Sequence, residues 1–130
     1  MDGLIEYLGC NYKKVVEIGI GRYPRVALAL LGRGLQVAAT DIQPQFVGLP
    51  VTFDDIRSPR LDLYEGAQVI YAVRPPPELL PFLKVLARKL AVDLVVKPLA
   101  GEPVDGLLIN HGGSFFYLFP ANKGIFPKPS

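Results

Sequence analysis

Cysteine, histidine and long apolar runs are all scarce in this sequence. One cysteine, Cys10, stands among 130 residues, so no disulfide can form within the chain, which fits a reducing compartment. We expect Cys10 to be a small buried hydrophobic residue. One cysteine and one histidine, His111, cannot complete a tetrahedral metal site. We therefore expect no metal ion in the function of this chain.

Membrane and nucleic-acid signals are also missing. No apolar run reaches the roughly 18 residues that a membrane-spanning helix needs, and the sequence does not open on the basic region of a signal peptide. The net charge is only +2, and no run of basic residues is longer than Lys13-Lys14. We therefore expect a cytoplasmic protein with no membrane partner, and the charge does not indicate a nucleic-acid partner.

Apolar residues, by contrast, make up 50% of the chain, slightly more than in an average soluble domain. The excess can fill a core of buried parallel strands or cover a subunit interface. An aromatic strand, residues 114–119, stands near the end of the sequence, and interfaces favour aromatic residues. We therefore predict a homodimer or a larger homo-oligomer.

The order of apolar runs and turn residues predicts a single α/β domain over residues 1–130, with a Rossmann-like three-layer sandwich. Alternating strands and helices imply a mostly parallel sheet with the first strand central. The interval between Pro98 and Leu107 is too short for a crossover, so the last two strands should be antiparallel. The predicted strands are 14–18, 35–40, 51–53, 67–73, 92–97, 107–109 and 114–119; the helices are 23–33 and 78–90, with a helical turn at 61–64, an N-terminal helical segment in 1–12, a hairpin loop at 110–113 and a tail at 120–130.

Two candidate ligand-binding features follow the first two strands, where open α/β sheets bind their ligands. Glu17-Ile-Gly19-Ile-Gly21 ends the first strand, and its glycines permit a tight turn that a ligand can approach closely. Asp41 ends the second strand, where a carboxylate can accept hydrogen bonds from ribose hydroxyls. A plain tight turn and an Asx turn before Pro44 are the alternative interpretations.

Two further features follow the third and fourth strands. Asp55 can accept a hydrogen bond from an adenine amino group while Ile56 covers the ring, or Asp55 can simply cap a helix. Arg74 leaves the fourth strand just before Pro75, and a residue before proline prefers an extended backbone. Its guanidinium can hold a carboxylate or phosphate of a substrate, or pair with Asp54, Asp55 or Glu78.

Together these motifs resemble those of the class I S-adenosylmethionine-dependent methyltransferases over residues 14–98. The resemblance implies that Glu17, Gly19 and Gly21 form the first cofactor motif, that Asp41 binds the ribose, and that Asp55 and Ile56 bind the adenine. The whole chain is also similar to a small uncharacterised archaeal protein family with a methyltransferase-like fold. The stretches VVEIGIGRYP, DDIRSPRLDLYEGA and IYAVRPPPEL carry that similarity.

Electrostatics favours S-adenosylmethionine over NAD as the nucleotide cofactor. Glu17 places a carboxylate beside the glycine turn, where it would repel a pyrophosphate but suit a sulfonium or ammonium charge. The third glycine of a dinucleotide motif is also missing, because Pro24 occupies its position. Arg22 is the counter-argument, since its charge could offset that of Glu17.

The reaction is less defined than the cofactor. Amine methyltransferases often carry an acceptor residue before the Pro-Pro pair, but Arg74 has donors only, so we consider it a candidate for orienting an anionic acceptor. His111 is a surface residue or a general base. The sequence thus leaves two functions open: a methyltransferase whose acceptor is unknown, and a non-catalytic nucleotide-binding or assembly module. An NAD-binding protein is a third and less favoured function.

Overall fold

A seven-stranded sheet forms the centre of the fold in a computed structural model, which describes residues 1–99 and 104–121. Its strands are β1 (Lys14–Ile18), β2 (Gln36–Asp41), β3 (Thr52–Phe53), β4 (Val69–Val73), β5 (Asp93–Lys97), β6 (Leu107–His111) and β7 (Ser114–Phe119). The helices are α1 (Asp2–Asn11), α2 (Arg25–Gly32) and α3 (Leu80–Leu90), with short 3₁₀ turns at Leu61–Tyr64 and Pro77–Leu79.

The strand order is β3-β2-β1-β4-β5-β7-β6, so β1 lies inside the sheet as the sequence predicted. The first five strands in this order are mutually parallel. β7 then pairs antiparallel with β5, and β6 antiparallel with β7. This confirms the antiparallel end of the sheet, which the short interval before β6 requires.

Helices cover both faces of the sheet. On one face, α1 and α2 pack on alternate strand residues such as Val15, Val69 and Val95. On the other face, α3 packs on the intervening residues, among them Val16 and Ile70. Burial on both faces explains why these strands are almost continuously apolar. The protein is therefore an α/β, Rossmann-like three-layer sandwich, and the fold prediction is confirmed.

One local prediction was wrong, and the loop of the predicted hairpin is shorter than expected. The hairpin loop 110–113 is only a two-residue turn, because Gly112 and Gly113 both adopt positive φ angles and let the strand continue through His111. Cys10 is exposed rather than buried, because α1 turns its Leu4 and Leu8 side towards the sheet.

The remaining elements differ from prediction only at their ends. Residues 122–130 of the predicted tail lie outside the described residues. Within residues 1–99 and 104–121, none of the helices is both long and apolar enough to span a membrane.

Candidate functional site

The glycine turn after β1 is open to a ligand. Gly19 and Gly21 have φ angles of 72° and 58°, a left-handed conformation that other residues rarely adopt. A Cβ atom built on either glycine would meet no atom within 4 Å, so conformation rather than crowding requires glycine here. The outer side of the turn therefore leaves room for a ligand beside the backbone.

Asp41, the last residue of β2, ties this turn to the neighbouring strand. Its Oδ2 accepts the N–H of Gly21 at 2.8 Å, and its Oδ1 accepts the N–H of Gln43 at 2.8 Å. The second contact is the Asx turn that the sequence offered as an alternative. Each carboxylate oxygen has a further lone pair, so both can still accept a hydroxyl donor. Asp41 thus shapes the turn and keeps acceptor capacity towards a ligand.

Asp55 and Ile56 follow β3 on the opposite side of the same crevice. Asp55 Oδ1 accepts the N–H of Arg57 at 2.9 Å, which folds the loop into another Asx turn. Ile56 is half-buried and packs against the core under α3. The guanidinium of Arg57 lies 5.5 Å from the ring centre of Phe82 on α3. This cation–π contact joins the loop to the helix across the crevice.

These residues line one cleft of about 220 Å³ at the carboxyl ends of β1 and β2. It brings together four residues that the sequence singled out, Gly19, Asp41, Asp55 and Ile56. The other walls are largely apolar and include Ile42, Pro76 and Leu79. An apolar slot with carboxylates at its rim fits a flat heterocycle joined to a hydroxylated ring.

Three predicted site residues stand outside the lining of this cleft: Glu17, Gly21 and Arg74. A larger cleft of about 330 Å³ lies between α3 and the β6–β7 hairpin. No residue predicted for the site is among its lining residues. We therefore place the candidate site at the smaller cleft, where the polar groups converge.

The floor of the cleft holds a buried hydrogen-bond network that sequence reasoning missed. The Tyr64 hydroxyl donates to Asp54 Oδ2 at 2.6 Å and lies 3.3 Å from Thr40 Oγ1. Asp54 Oδ1 accepts the N–H of Arg60 at 3.0 Å. Burial and the bond to Asp54 raise the pKa of the Tyr64 phenol far above its ordinary value, so Tyr64 remains a donor. The network fixes the loop that carries Asp55.

We predict that Tyr64→Phe lowers the free energy of unfolding by about 1.5–3 kcal/mol, because a buried carboxylate loses a donor. Tyr12→Phe is the matched control, since Tyr12 donates to Asp93 at 2.7 Å in a partly exposed position. Denaturant unfolding should show a smaller loss for that control. Equal losses in the two variants would contradict a special role for the buried network.

Glu17, two residues before Gly19 on β1, is buried and only 2% exposed. It stands beside Tyr71 of β4 in the parallel register. Within the described residues, Glu17 Oε1 and the Tyr71 hydroxyl have no hydrogen-bond partner. Burial raises the pKa of the Glu17 carboxyl to about 7, and the nearby Tyr71 hydroxyl offsets this only in part. Near neutral pH, a modest change in the surroundings of the Glu17 carboxyl would therefore change the charge of that carboxyl.

Arg74 adopts a conformation that the sequence did not predict. Its φ angle is +52°, in the left-handed region, whereas the following proline favours an extended backbone. Its N–H donates to the carbonyl of Lys97 at 2.6 Å, the last bond between β4 and β5, so the bend that takes the chain out of the sheet falls on Arg74 itself. The side chain is exposed and makes no ion pair within the described residues. The predicted pairing with an acid is therefore not observed there.

His111 lies away from the cleft, at the end of β6. Its Nε2 is 2.9 Å from Glu6 Oε1, and its ring meets Tyr7 of α1 edge-on. This arrangement fits the interpretation of His111 as a surface residue. Among the residues that the structure describes, no group of His, Cys, Asp and Glu side chains could hold a metal ion.

Comparisons with known proteins identify relatives along nearly the whole chain. The family described as "Uncharacterised protein family (UPF0146)" matches residues 1–121. A UPF0146 protein of Archaeoglobus fulgidus is 42% identical over 118 residues, which cover 88% of this chain and 91% of that protein. A UPF0146 protein of Methanothermobacter thermautotrophicus is 36% identical over 113 residues, covering 83% of this chain and 84% of that protein.

Among solved structures, the sugar N-methyltransferase KedS8 from Streptoalloteichus superposes with a TM-score of 0.48 at 14% sequence identity. The match covers 82% of this chain and 49% of that chain, so this protein spans about half the length of that enzyme. The family match and the relatives confirm the resemblance to an archaeal family that the sequence motifs indicated. This chain belongs to the UPF0146 protein family, which has members in archaea.

Proposed function

We propose that this protein binds S-adenosylmethionine in the cleft at the carboxyl ends of β1 and β2. The observation that carries the proposal is the convergence of Gly19, Asp41, Asp55 and Ile56 on one cleft. The ligand would supply a methyl group on a sulfonium leaving group. Asp41 would accept bonds from the ribose hydroxyls, Asp55 would accept one from the adenine amino group, and Ile56 would cover the base.

The hydrogen bonds of the glycine turn support this ligand over NAD. A dinucleotide needs free backbone N–H groups at the turn to hold its pyrophosphate. Here the N–H of Gly19 donates to the Thr40 carbonyl at 2.9 Å, and the N–H of Gly21 donates to Asp41. The N–H of Tyr23 donates to the Ile20 carbonyl at 3.2 Å. Donors already used in this way disfavour a pyrophosphate.

Glu17 gives further support through its charge. The Glu17 carboxyl precedes the turn by two residues, has a pKa of about 7, and has one oxygen without a partner among the described residues. A cationic ligand near it would favour its ionised form. The methionine part of S-adenosylmethionine carries such a charge. We therefore propose that the charge of Glu17 stabilises the cationic end of the ligand, while Gly19 and Gly21 let that end approach.

We further propose that the protein is a methyltransferase, with Arg74 orienting an anionic acceptor. Arg74 stands exposed at the carboxyl end of β4, and Pro76 on the segment after it lines the cleft. In the transfer, the bond between sulfur and methyl carbon breaks, sulfur keeps the electron pair, and the acceptor atom forms the new bond. The chain's task is mainly to hold the two partners in line.

The strained backbone of Arg74 allows a test of this role. Arg74→Gly should raise the free energy of unfolding by up to about 1 kcal/mol, because glycine removes the left-handed strain. The same variant should lose transfer to an anionic acceptor, and Arg74→Lys should impair it through loss of the planar fork. If Arg74→Gly and Arg74→Ala both mainly lower thermal stability and transfer persists, Arg74 is a structural residue.

A non-catalytic nucleotide-binding or assembly module is the second candidate function. It is favoured by Arg74, which has donors only and stands where amine methyltransferases often carry an acceptor residue. Incubation with methyl-labelled S-adenosylmethionine and fractionated cell metabolites separates the two candidates. Binding with transfer supports the enzyme, and binding without transfer to any fraction supports the module.

A homodimer and a cytoplasmic location remain predictions of the same proposal. Exposed apolar side chains on β6 and β7 support the homodimer. The single cysteine supports the cytoplasmic location.

A further inference from the structure

Two buried polar atoms of the sheet lack hydrogen-bond partners, and they belong to neighbouring residues. Glu17 on β1 pairs with Tyr71 on β4 in the parallel register, so their backbones lie about 4.8 Å apart. Within the described residues, neither Glu17 Oε1 nor the Tyr71 hydroxyl makes a hydrogen bond. Both side chains are buried, so bulk water does not satisfy these atoms either. Such orphaned groups are rare in folded proteins and indicate a role beyond packing.

The two side chains share one face of the sheet. Tyr71 packs with Val15 in the core cluster that α1 and α2 cover, and Glu17 follows Val15 by two residues on β1. Because strand residues alternate between faces, Glu17 points to the same side as Val15. An ionised carboxylate accepts hydrogen bonds and a phenol donates one. A rotation of either side chain can therefore join the two groups.

The other surroundings of Glu17 are apolar. Among the described residues, Tyr71 is the one titratable side chain that shifts the pKa of Glu17. β2 places Ala39 on the other side of Glu17, and the residues that α1 and α2 bury are apolar or glycine. Tyr7 of α1 packs its ring against Phe116. The charged residues of the two helices lie in exposed ion pairs, Arg25 with Asp2 and Glu6 with His111.

We propose that Tyr71 is a positioning residue for Glu17: its hydroxyl donates to the Glu17 carboxylate when a cationic ligand in the cleft favours the ionised form. The ligand part of this inference rests on the proposed function. Ile18 and Gly19, the two residues after Glu17, line the cleft, so a cation there lies close to Glu17. A buried anion needs a hydrogen-bond donor as well as a nearby cation, and Tyr71 supplies the donor.

This bond would leave a signature in the dependence of stability on pH. Burial raises the pKa of Glu17 to about 7 and that of Tyr71 well above its ordinary value, so Glu17 titrates while Tyr71 remains a donor. Without the donor, Tyr71→Phe should raise the pKa of Glu17 by about one further pH unit. The variant should therefore lose stability relative to the unchanged protein as pH rises from 6 to 9.

Denaturant unfolding of the unliganded full chain from pH 5 to pH 9 tests the pair. The stability difference between the unchanged protein and Tyr71→Phe should be constant up to about pH 6 and then grow. In a Glu17→Gln background, the same substitution should give a difference that does not vary with pH. Tyr12→Phe is the matched control and should show no such growth, since Tyr12 donates to Asp93 at 2.7 Å, at the amino ends of the strands.

Calorimetric titration with S-adenosylmethionine tests the positioning role. Tyr71→Phe should bind this ligand about 5-fold more weakly than the unchanged protein at pH 7, where Glu17 of the variant is mostly protonated. At pH 8.5, where Glu17 is largely ionised in both proteins, the two affinities should agree within about 2-fold. Loss of affinity by the same factor at both pH values would assign Tyr71 a packing role and overturn the proposal.

Failure of this inference and failure of the proposed function give different results. If the unchanged protein does not bind S-adenosylmethionine at either pH, the proposed function fails, and the unfolding series still decides whether the pair forms. A stability difference that does not vary with pH, or one that still grows in the Glu17→Gln background, would overturn the pair itself. Tyr71→Phe should fold, because it removes only a hydroxyl that has no partner among the described residues.

Discussion

Replacing Asp41 by alanine should weaken S-adenosylmethionine binding by about 10- to 100-fold. The carboxylate would lose hydrogen bonds to the ribose hydroxyls, and bonds to a charged acceptor are worth about 1.5–3 kcal/mol. Asp41 also holds the N–H groups of Gly21 and Gln43, so the glycine turn loses a support in the same variant. Isothermal titration calorimetry on the folded variant measures the combined effect.

Two controls separate the ligand contact from the support of the turn. Asp41→Asn keeps the shape and one acceptor oxygen, so we expect an intermediate loss of affinity. Asp105→Ala removes an exposed aspartate outside the cleft and should leave affinity unchanged. Affinity that is unchanged in a folded Asp41→Ala variant would refute the assignment of Asp41 to the ribose.

The second large effect concerns Glu17 and the dependence of stability on pH. The folded protein keeps the Glu17 proton up to about pH 7, because burial raises the pKa of this carboxyl from its ordinary value of 4.5. The unfolded chain releases the proton near the ordinary value. Between these two pH values the unfolded state binds fewer protons, so the contribution of Glu17 to stability falls as pH rises. Over this pH range, the free energy of unfolding falls by roughly 3 kcal/mol through Glu17 alone.

Glu17→Gln removes this titration while keeping the size of the side chain. Measured by denaturant unfolding from pH 4 to pH 8, the stability difference between the variant and the unchanged protein should grow in favour of the variant up to about pH 7 and then level off. A difference that stays constant across this range would show that Glu17 titrates normally and is not buried as described.

Much of the fold follows from patterns that are local in the sequence. The apolar run 14–18 and the glycines after it predicted β1 and its turn with their observed bounds. Parallel strands bring their carboxyl ends to one edge, which is why Asp41 and Asp55 could be placed together before the structure was known. Such predictions need only the strand order and the positions where strands end.

Other features depend on contacts between distant residues. Arg74 has a left-handed backbone at the point where the chain leaves the β4–β5 ladder, whereas the proline after it predicted an extended backbone. The Asp54–Tyr64 bond joins the loop after β3 to the 3₁₀ turn Leu61–Tyr64, and no local pattern encodes their approach. Glu17 could be assigned to the glycine motif, but its position opposite Tyr71 depends on the register between β1 and β4. These are the places where packing overrides local preference.

Isothermal titration calorimetry of the purified protein with S-adenosylmethionine, S-adenosylhomocysteine and NAD measures whether the cleft binds the proposed ligand. We predict saturable one-to-one binding of S-adenosylmethionine and S-adenosylhomocysteine, weakened in Asp41→Ala, and no measurable binding of NAD. Asp105→Ala should bind like the unchanged protein. Binding of NAD with no binding of either adenosyl compound, or affinity for S-adenosylmethionine that Asp41→Ala leaves unchanged, would contradict this prediction.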